Sequence, residues 1–571
     1  MKYQISTNSS KDLKIDEWEQ RVVNSALWAA GGDALGWMTE LSYGQTGVKR
    51  RTGISKVSEP LPWQRVIGGR NGPKVDFPAG TYSDDTQLRL AVSRSIRGNG
   101  FFDVETFAKI ELTIWPTYAL GAGLGSKAAA LNLSRRGVNW FSNFYESGSQ
   151  RYISGGGNGA AMRIQPHVWS SIGSLDEIVH NVLRDALVTH GHPQGFCGAV
   201  FHALCLSQTL RTGMLPKIDE WLQYVDYFQE IPKLIENDSQ LAAFWRTSWE
   251  QNFGSSLESA LDEVCDQARF DLDEVAVILS KSEENQYHHI LMRLGCLEQK
   301  FRGSGLKTAI AAVALAHLYK DRSVHEALTC AANELESDTD TIATMCGALM
   351  GCFAIDAPKW KIQDLDYLTS EAKRLTAIAF NKPQPSFTYP DLGHWNPPNS
   401  QMASVGRFEE GFAIAGLGVL IVDGIKYQSG DAIWQWATLP FGQTILAKRK
   451  ANLIENILLD QLPSSINKTT DKEILNVNSN SSKVSQKSLF IDNTIGKTTS
   501  NSLNKIQITS DVSTSISLDL MTDQVIHSNF DDAVFGRLLN NCIDTSQSIE
   551  LAAAFVAIIA KAKIARQRRK R

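Results

Sequence analysis

The stretch YSDDTQLRL, Tyr82 to Leu90, sets Asp84 and Asp85 side by side at what reads as the start of a helix, with hydroxyls on either side at Ser83 and Thr86. Adjacent carboxylates repel unless something balances them. Far downstream, ESDTDTIATMCGALMG, from Glu336, brings Asp338, Asp340 and Thr341 to the start of another helix. Acids and serines in a first turn satisfy free N–H groups and the helix dipole, so capping explains one acid per helix. It explains two clusters of two acids poorly. Hard cations such as Mg²⁺, Mn²⁺ or Ca²⁺ take several oxygen ligands. Four carboxylates can balance two divalent ions about 3.5–4 Å apart. The spacing favours metal over capping and leaves both open.

The text around these clusters is helical. SLDEIVHNVLRDALVTH opens on a capping box, Ser174 and Glu177, and Leu175, Ile178, Val182 and Ala186 then share one face. SGLKTAIAAVALAHLYK and TIATMCGALMGCFAI are apolar nearly all round and rich in small residues, as core helices are. Alternating strand patterns are scarce from about residue 18 to 382. The expectation is an all-α domain over 18–382, with its chemistry on loops. Residues 1–17 read as a tail. Residues 383–462 read as an appended module: SFTYPDLGHWNPPNSQ carries turn signals, and FAIAGLGVLIVDGIKY suits strands or a buried helix equally. Residues 463–515, rich in Ser, Asn, Thr and Lys, read as a linker. Residues 516–571 read as a helical segment, with two short amphipathic helices from about residue 528 that end in the basic run KAKIARQRRKR. A solvated helix end is preferred there over contact with nucleic acid, an anionic surface or an acidic partner.

Over 571 residues the apolar fraction is 43% and the charged fraction 21%, ordinary for a globular protein. A net charge of −4 gives no general pull toward nucleic acid or membrane. The N-terminal stretch lacks the apolar core of a secretory signal, and LAAAFVAIIA is too short to span a bilayer, so a cytoplasmic protein is expected. Eight cysteines, none in a CxxC pair, argue against disulfides and a zinc site.

Four further motifs bear on chemistry. GGDALGWMTE places Asp33 after two glycines and Glu40 seven residues on, with Asp33 expected a turn or so into a helix starting near Asp16. A site acid and a buried Asp holding a helix end are both open. GAGLGSK, Gly121 to Lys127, opens a helix whose free N–H groups suit phosphate, without Walker or Rossmann spacing. SGGGNGAAMR, Ser154 to Arg163, offers backbone amides to a ligand, an ordinary turn being the alternative. VTHGHPQG holds His190 and His192, for which a hydrogen-bonding or turn role is preferred over metal.

Taken in order, GDALG, SDDT, GNGAAMR, THxxP and DTDTIA…GALMG resemble the ADP-ribosylglycohydrolase family over about residues 18–382. The resemblance implies a compact orthogonal helical fold holding two divalent cations, Mg²⁺ or Mn²⁺, at the base of a cleft. It implies metal ligands at Ser83, Asp84, Asp85, Asp338, Asp340 and Thr341, with Thr86 in a capping or supporting role. Glu40 aligns with a lid glutamate that relatives place near the metals; Glu40, Asp84 and Asp338 are the implied catalytic residues. Asp33, Gly121, Gly123, Gly125, Gly157, Asn158, Gly159 and His190 are the implied substrate contacts. The implied reaction is release of ADP-ribose, expected from an ADP-ribosylated arginine. An O-linked or nucleotide substrate, or a non-catalytic ADP-ribose-binding or immunity module, is the alternative. Glu336 and Ser337 stand where relatives usually have two glycines, Gly155 and Gly156 where some carry an aromatic, and residues 210–300 look like an insertion that reshapes the cleft rim or binds a partner. The resemblance says nothing of the C-terminal third, which a protein partner could use.

Overall fold

The computed structural model describes residues 14–281, 283–463, 518–546 and 549–568. Two compact units divide the chain, Met1–Asn476 and Val477–Arg571. In the first unit the helices that frame the site are α1 (Ile15–Trp37), α2 (Gln45–Thr52), α3 (Asp84–Ser95), α4 (Leu124–Leu133), α5 (Leu175–Leu187), α6 (Pro193–Thr212), α7 (Leu257–Leu279), α8 (Gln286–Leu294), α9 (Gly305–Leu318), α10 (Thr339–Gly351) and α11 (Leu365–Ala379).

Helix α1 is buried on every face from Asn24 onward, as its Ala, Gly and Trp content permits. Asp33 lies in its last turns, not near its start. Helix α10 crosses it at backbone distance. A Cβ on Gly32, Gly36 or Gly347 would lie 2.4 Å from the carbonyl oxygen of Ala343, Thr339 or Trp28 respectively. Hydroxyls stitch the crossing: Ser25 Oγ donates to the Ala348 carbonyl at 2.7 Å, Thr344 Oγ1 to Ala29 at 2.8 Å and Thr339 Oγ1 to Gly36 at 2.8 Å. The apolar helix α9 is buried from Gly305 to Ala316. Helix α5 is one-sided as its pattern predicts, capped by Ser174 Oγ, which accepts from Glu177 N.

Short strands interrupt the helices. β1 (Trp63–Val66) and β2 (Lys74–Phe77) form an antiparallel hairpin just before the Asp84–Asp85 pair. The ambiguous segment after residue 400 is sheet: β3 (Val405–Phe408), β4 (Gly411–Ile414), β5 (Gly418–Ser429), β6 (Ala432–Thr438) and β7 (Thr444–Lys450) form an antiparallel meander in chain order. The following chain returns to β3, where Arg407 N meets the Glu455 carbonyl at 2.8 Å. This sheet belongs to the first unit. The fully buried Arg94–Glu111 pair, 2.7 Å apart, is completed by Gln443 Oε1, which accepts from Arg94 Nη1 at 2.7 Å.

Within the second unit the described residues form three helices, Leu518–His527, Asp532–Ser546 and Ile549–Arg568, the last two in the range where two were expected. Asn529 and Phe530 take left-handed φ values, and Asp531 Oδ1 accepts from Ala533 N and Val534 N, so one helix stops and the next begins there. Met521, Val525, Cys542, Phe555 and Ile559 form their core. The expected tail and linker lie mostly outside the described residues, among which no helix is long and apolar enough to cross a membrane.

Candidate active site

The N-terminus of α3 separates capping from the remaining acids. Ser83 Oγ accepts from Asp85 N at 3.3 Å and caps the helix. Beneath it, Asp33 Oδ1 accepts from Ser83 N at 2.8 Å, while Oδ2 accepts from Thr86 N at 2.9 Å and Thr86 Oγ1 at 2.6 Å. Asp33 is fully buried with both oxygens engaged. It is therefore no substrate contact: it holds the start of α3 from below, and Thr86 supports it. With these groups serving the free N–H donors, the Asp84 and Asp85 carboxylates are left over. Asp85 Oδ2 is buried with no hydrogen-bond partner.

The second cluster behaves alike. Asp338 occupies the N-cap position of α10, yet its side chain makes no cap bond. It accepts instead from Asn158 Nδ2 at 2.8 Å. Oxygens of Glu40, Asp338 and Asp340 all lie within 4.8 Å of one another. Thr341 Oγ1 donates to Asp85 Oδ1 at 3.4 Å and links the two clusters. Burial raises the Asp84, Asp85 and Asp340 carboxyls well above their ordinary range, and neighbouring acids add to it: Glu40 and Asp33 at Asp84, Asp33 and Asp84 at Asp85, Glu40 and Asp338 at Asp340. Crowded acids of this kind, with one buried oxygen orphaned, fit a hard divalent cation.

Glu40 joins this group from a turn that follows α1. Leu41, Tyr43 and Gly44 take left-handed φ values of 48°, 57° and 87°. Arg51 of α2 donates to the carbonyls of Met38, Glu40 and Leu41 at 3.2, 2.6 and 3.0 Å. Arg65 of β1 donates to Glu40 Oε2 at 3.3 Å. Burial raises the Glu40 carboxyl despite Arg65, with Asp338 adding to the rise. Sequence reasoning missed both arginines, since no motif spacing marks them.

The glycine segments line the same region. Gly121, at φ 87°, leaves no room for a side chain: its Cβ would stand 2.8 Å from Asp84 Oδ1. Gly123 caps α4 without a side-chain bond, and a Cβ there would meet nothing within 4 Å. Gly125 faces Tyr145 Oη. The loop from Gly156 to Asn158 is zipped to residues 303–305, a segment the sequence did not flag: Asn158 N donates to the Gly303 carbonyl at 2.8 Å and Gly305 N to Gly156 at 2.9 Å. His190 lies under Gly157 and Gly159, its Nδ1 paired with Thr189 Oγ1 at 2.7 Å. Burial, with Arg163 nearby, pushes it down to about 3, so it is neutral. His192 Nδ1 accepts from Gln194 N and caps α6, the turn role expected of it. Glu336 is exposed and pairs with Arg302 at 3.5 Å. The stretch read as an insertion includes α7 and α8, which line a cavity of about 1280 Å³ with Phe253, Phe301 and Ser304. Gln194, on its wall, touches the position of a Cβ on Gly156 at 3.3 Å.

Fold and site together define a helical protein with a largely buried carboxylate cluster suited to a cation. A family model described as ADP-ribosylglycohydrolase matches residues 15–381, and the chain belongs to that family. It is similar to the ADP-ribosyl-(dinitrogen reductase) glycohydrolase of Rhodospirillum rubrum, 28% identical over 175 residues, 30% of this chain and 52% of that one. It is also similar to the ADP-ribosylhydrolase ARH3 of Xenopus tropicalis, 22% identical over 304 residues, 51% of this chain and 79% of that one. The match thus spans about half of the Rhodospirillum protein. A solved chain titled ADP-ribosylglycohydrolase-related protein complex overlays with a TM-score of 0.40 at 18% identity, covering 64% of this chain and 99% of that one.

Proposed function

We propose that the protein is a metal-dependent ADP-ribosyl hydrolase that removes ADP-ribose from a modified target, with ADP-ribosylated arginine as its substrate. The observation that carries this reading is the meeting of Glu40, Asp338 and Asp340 within 4.8 Å, with Asp84 and Asp85 buried at the neighbouring helix start. Family membership supports the reaction class. Two Mg²⁺ or Mn²⁺ ions would be held by Ser83, Asp84 and Asp85 on one side and Asp338, Asp340 and Thr341 on the other; when bound, they supply the charge that fixes ribose hydroxyls.

The chain's own residues do the rest. Glu40, with its raised proton affinity, is suited to take a proton from the attacking water. The glycosidic bond breaks through a cation-like sugar, which nearby carboxylates stabilise. Residues 121–125 lead into the start of α4, which no side chain caps and whose free N–H groups, with Lys127, suit a diphosphate. Asn158 orients Asp338, and Gly157 and Gly159 leave their backbone open beside the sugar. Neutral His190 supports that loop and offers no charge. The cavity beside Gly156 leaves room for the nucleoside end of the substrate. A cytoplasmic setting is part of the same proposal and rests on the sequence.

The test is hydrolysis of ADP-ribosyl-arginine with Mg²⁺ or Mn²⁺, beside serine-linked, acid-linked and nucleic-acid-linked substrates. Asp84→Ala/Asp340→Ala should lose activity by orders of magnitude. Unchanged activity in that double variant would sink the metal assignment. Turnover of another linkage alone would move the substrate and keep the reaction class.

A further inference from the structure

Glu40 is half-buried among like charges. It faces Asp338 and Asp340 across less than 4.8 Å, and like charges at that range push apart. Its own turn carries two non-glycine residues in left-handed conformations, so the local chain does not choose this geometry by itself. Arg65 donates to the Glu40 carboxylate and lies 5.8 Å from the centre of the Trp37 ring. The question becomes what holds Arg65.

Arg65 sits on a hairpin of two four-residue strands, and an isolated pair of that size is marginal in water. Two structures grip it. On its inner face Trp37, Trp63 and Phe77 pack ring on ring, with centroids 4.8 to 5.0 Å apart. Along its other side runs the C-terminal sheet. Trp436 of β6 meets Phe77 edge-on at 5.9 Å and donates its Nε1–H to the Asp76 carbonyl at 3.2 Å. Tyr427 of β5 donates to Asp76 Oδ2 at 3.2 Å, and Ser429 to the Asn71 carbonyl at 2.8 Å. Trp434 covers Gly68 so closely that a Cβ there would lie 2.6 Å from its ring. The contacts run from the turn of the hairpin to its base.

We propose that the β3–β7 sheet is a clamp that fixes Glu40 beside Asp338 and Asp340, acting through the β1–β2 hairpin, with Arg65, Trp436 and Tyr427 as positioning residues. The sheet lies beyond the part of the chain that the family model matches. The clamp rests on the hydrolase reading only for what Glu40 does to substrate; its mechanical claim is separate.

The experiment uses the full chain and the variants Trp436→Leu, Arg65→Gln and their combination. Two readouts need no substrate: amide hydrogen exchange of residues 38–52 in chelator, and Mn²⁺ affinity by calorimetry. Each single variant should speed exchange there and weaken Mn²⁺ binding about tenfold, the usual scale for losing a group that orients a ligand. The combination should be no worse than Arg65→Gln alone, because both act on one path. Wild-type exchange and affinity in folded Trp436→Leu, or effects that add in full, would overturn the clamp. Should Trp436→Leu fail to fold, Tyr427→Phe/Ser429→Ala removes two partly exposed grips and is read in the same way. If wild type binds no Mn²⁺, the exchange result alone decides, and the hydrolase reading falls by itself.

Discussion

Asp33→Ala would strip the acceptor from three donors at once: two backbone N–H groups and the Thr86 hydroxyl. Buried donors left unpaired are costly, so a loss of about 3 kcal/mol or more is expected, read by denaturant unfolding in chelator. Asp33→Asn keeps acceptor capacity and should cost less. The acids above Asp33 make a second prediction, on pH. The folded-state values of Asp84, Asp85 and Asp340 lie above the ordinary 3.8, through burial first and neighbouring acids second. A carboxyl raised on folding contributes stability that is whole below the unfolded value and is lost as pH rises through the folded one. In chelator, Tm should therefore fall as pH rises above the ordinary carboxylate value, and fall less in Asp84→Asn/Asp340→Asn. Mn²⁺ should raise Tm more at the higher pH. These acids were legible in the sequence because capping explains one acid per helix, and two helix starts each carried two. Asp33 and Arg65 were not legible in their true roles. Each is defined by a residue it meets across the fold, and neither stands at a spacing that announces the meeting.

At the level of elements, the α1–α10 crossing depends on glycine where the backbones touch. Gly36→Ala would press a methyl on the Thr339 carbonyl, next to Asp338 and Asp340; Gly347→Ala would press one on Trp28, at the far end of the crossing. Both should cost about 1–3 kcal/mol through overpacking, measured as a lowered Tm. Only Gly36→Ala should also weaken Mn²⁺ binding strongly, since it displaces the start of α10. Helix α10 was readable: apolar, small-residue text on all faces has few homes except the centre of a helical core; of α1 only its start near Asp16 was. The hairpin was not, because four-residue strands carry too little periodicity. FAIAGLGVLIVDGIKY was undecidable for the opposite reason. It is apolar at both periods, and only its pairing neighbours make it strand.

Over the whole molecule, the sheet is part of the first unit's structure. A chain ended after residue 463 should keep that unit's unfolding transition within a few degrees, since its compact unit and all of β3–β7 remain. A chain ended after residue 403 should be insoluble or unfolded on calorimetry. It would strip Trp436 from Phe77 and leave buried Arg94 without Gln443. Nothing in the sequence of residues 383–462 foretold that dependence, because the partners lie in residues 63–111. The α1–α10 crossing also has a consequence in time. The bond from Thr339 to Gly36 joins residues 303 apart. At a synthesis rate of ~5–20 residues per second, α1 leaves the ribosome roughly 15–60 s before its partner exists. Through that interval the part of α1 from Asn24 onward, buried on every face in the folded protein, lacks the helix that covers it, so its apolar surface stays open to other contacts until residue 351 has emerged.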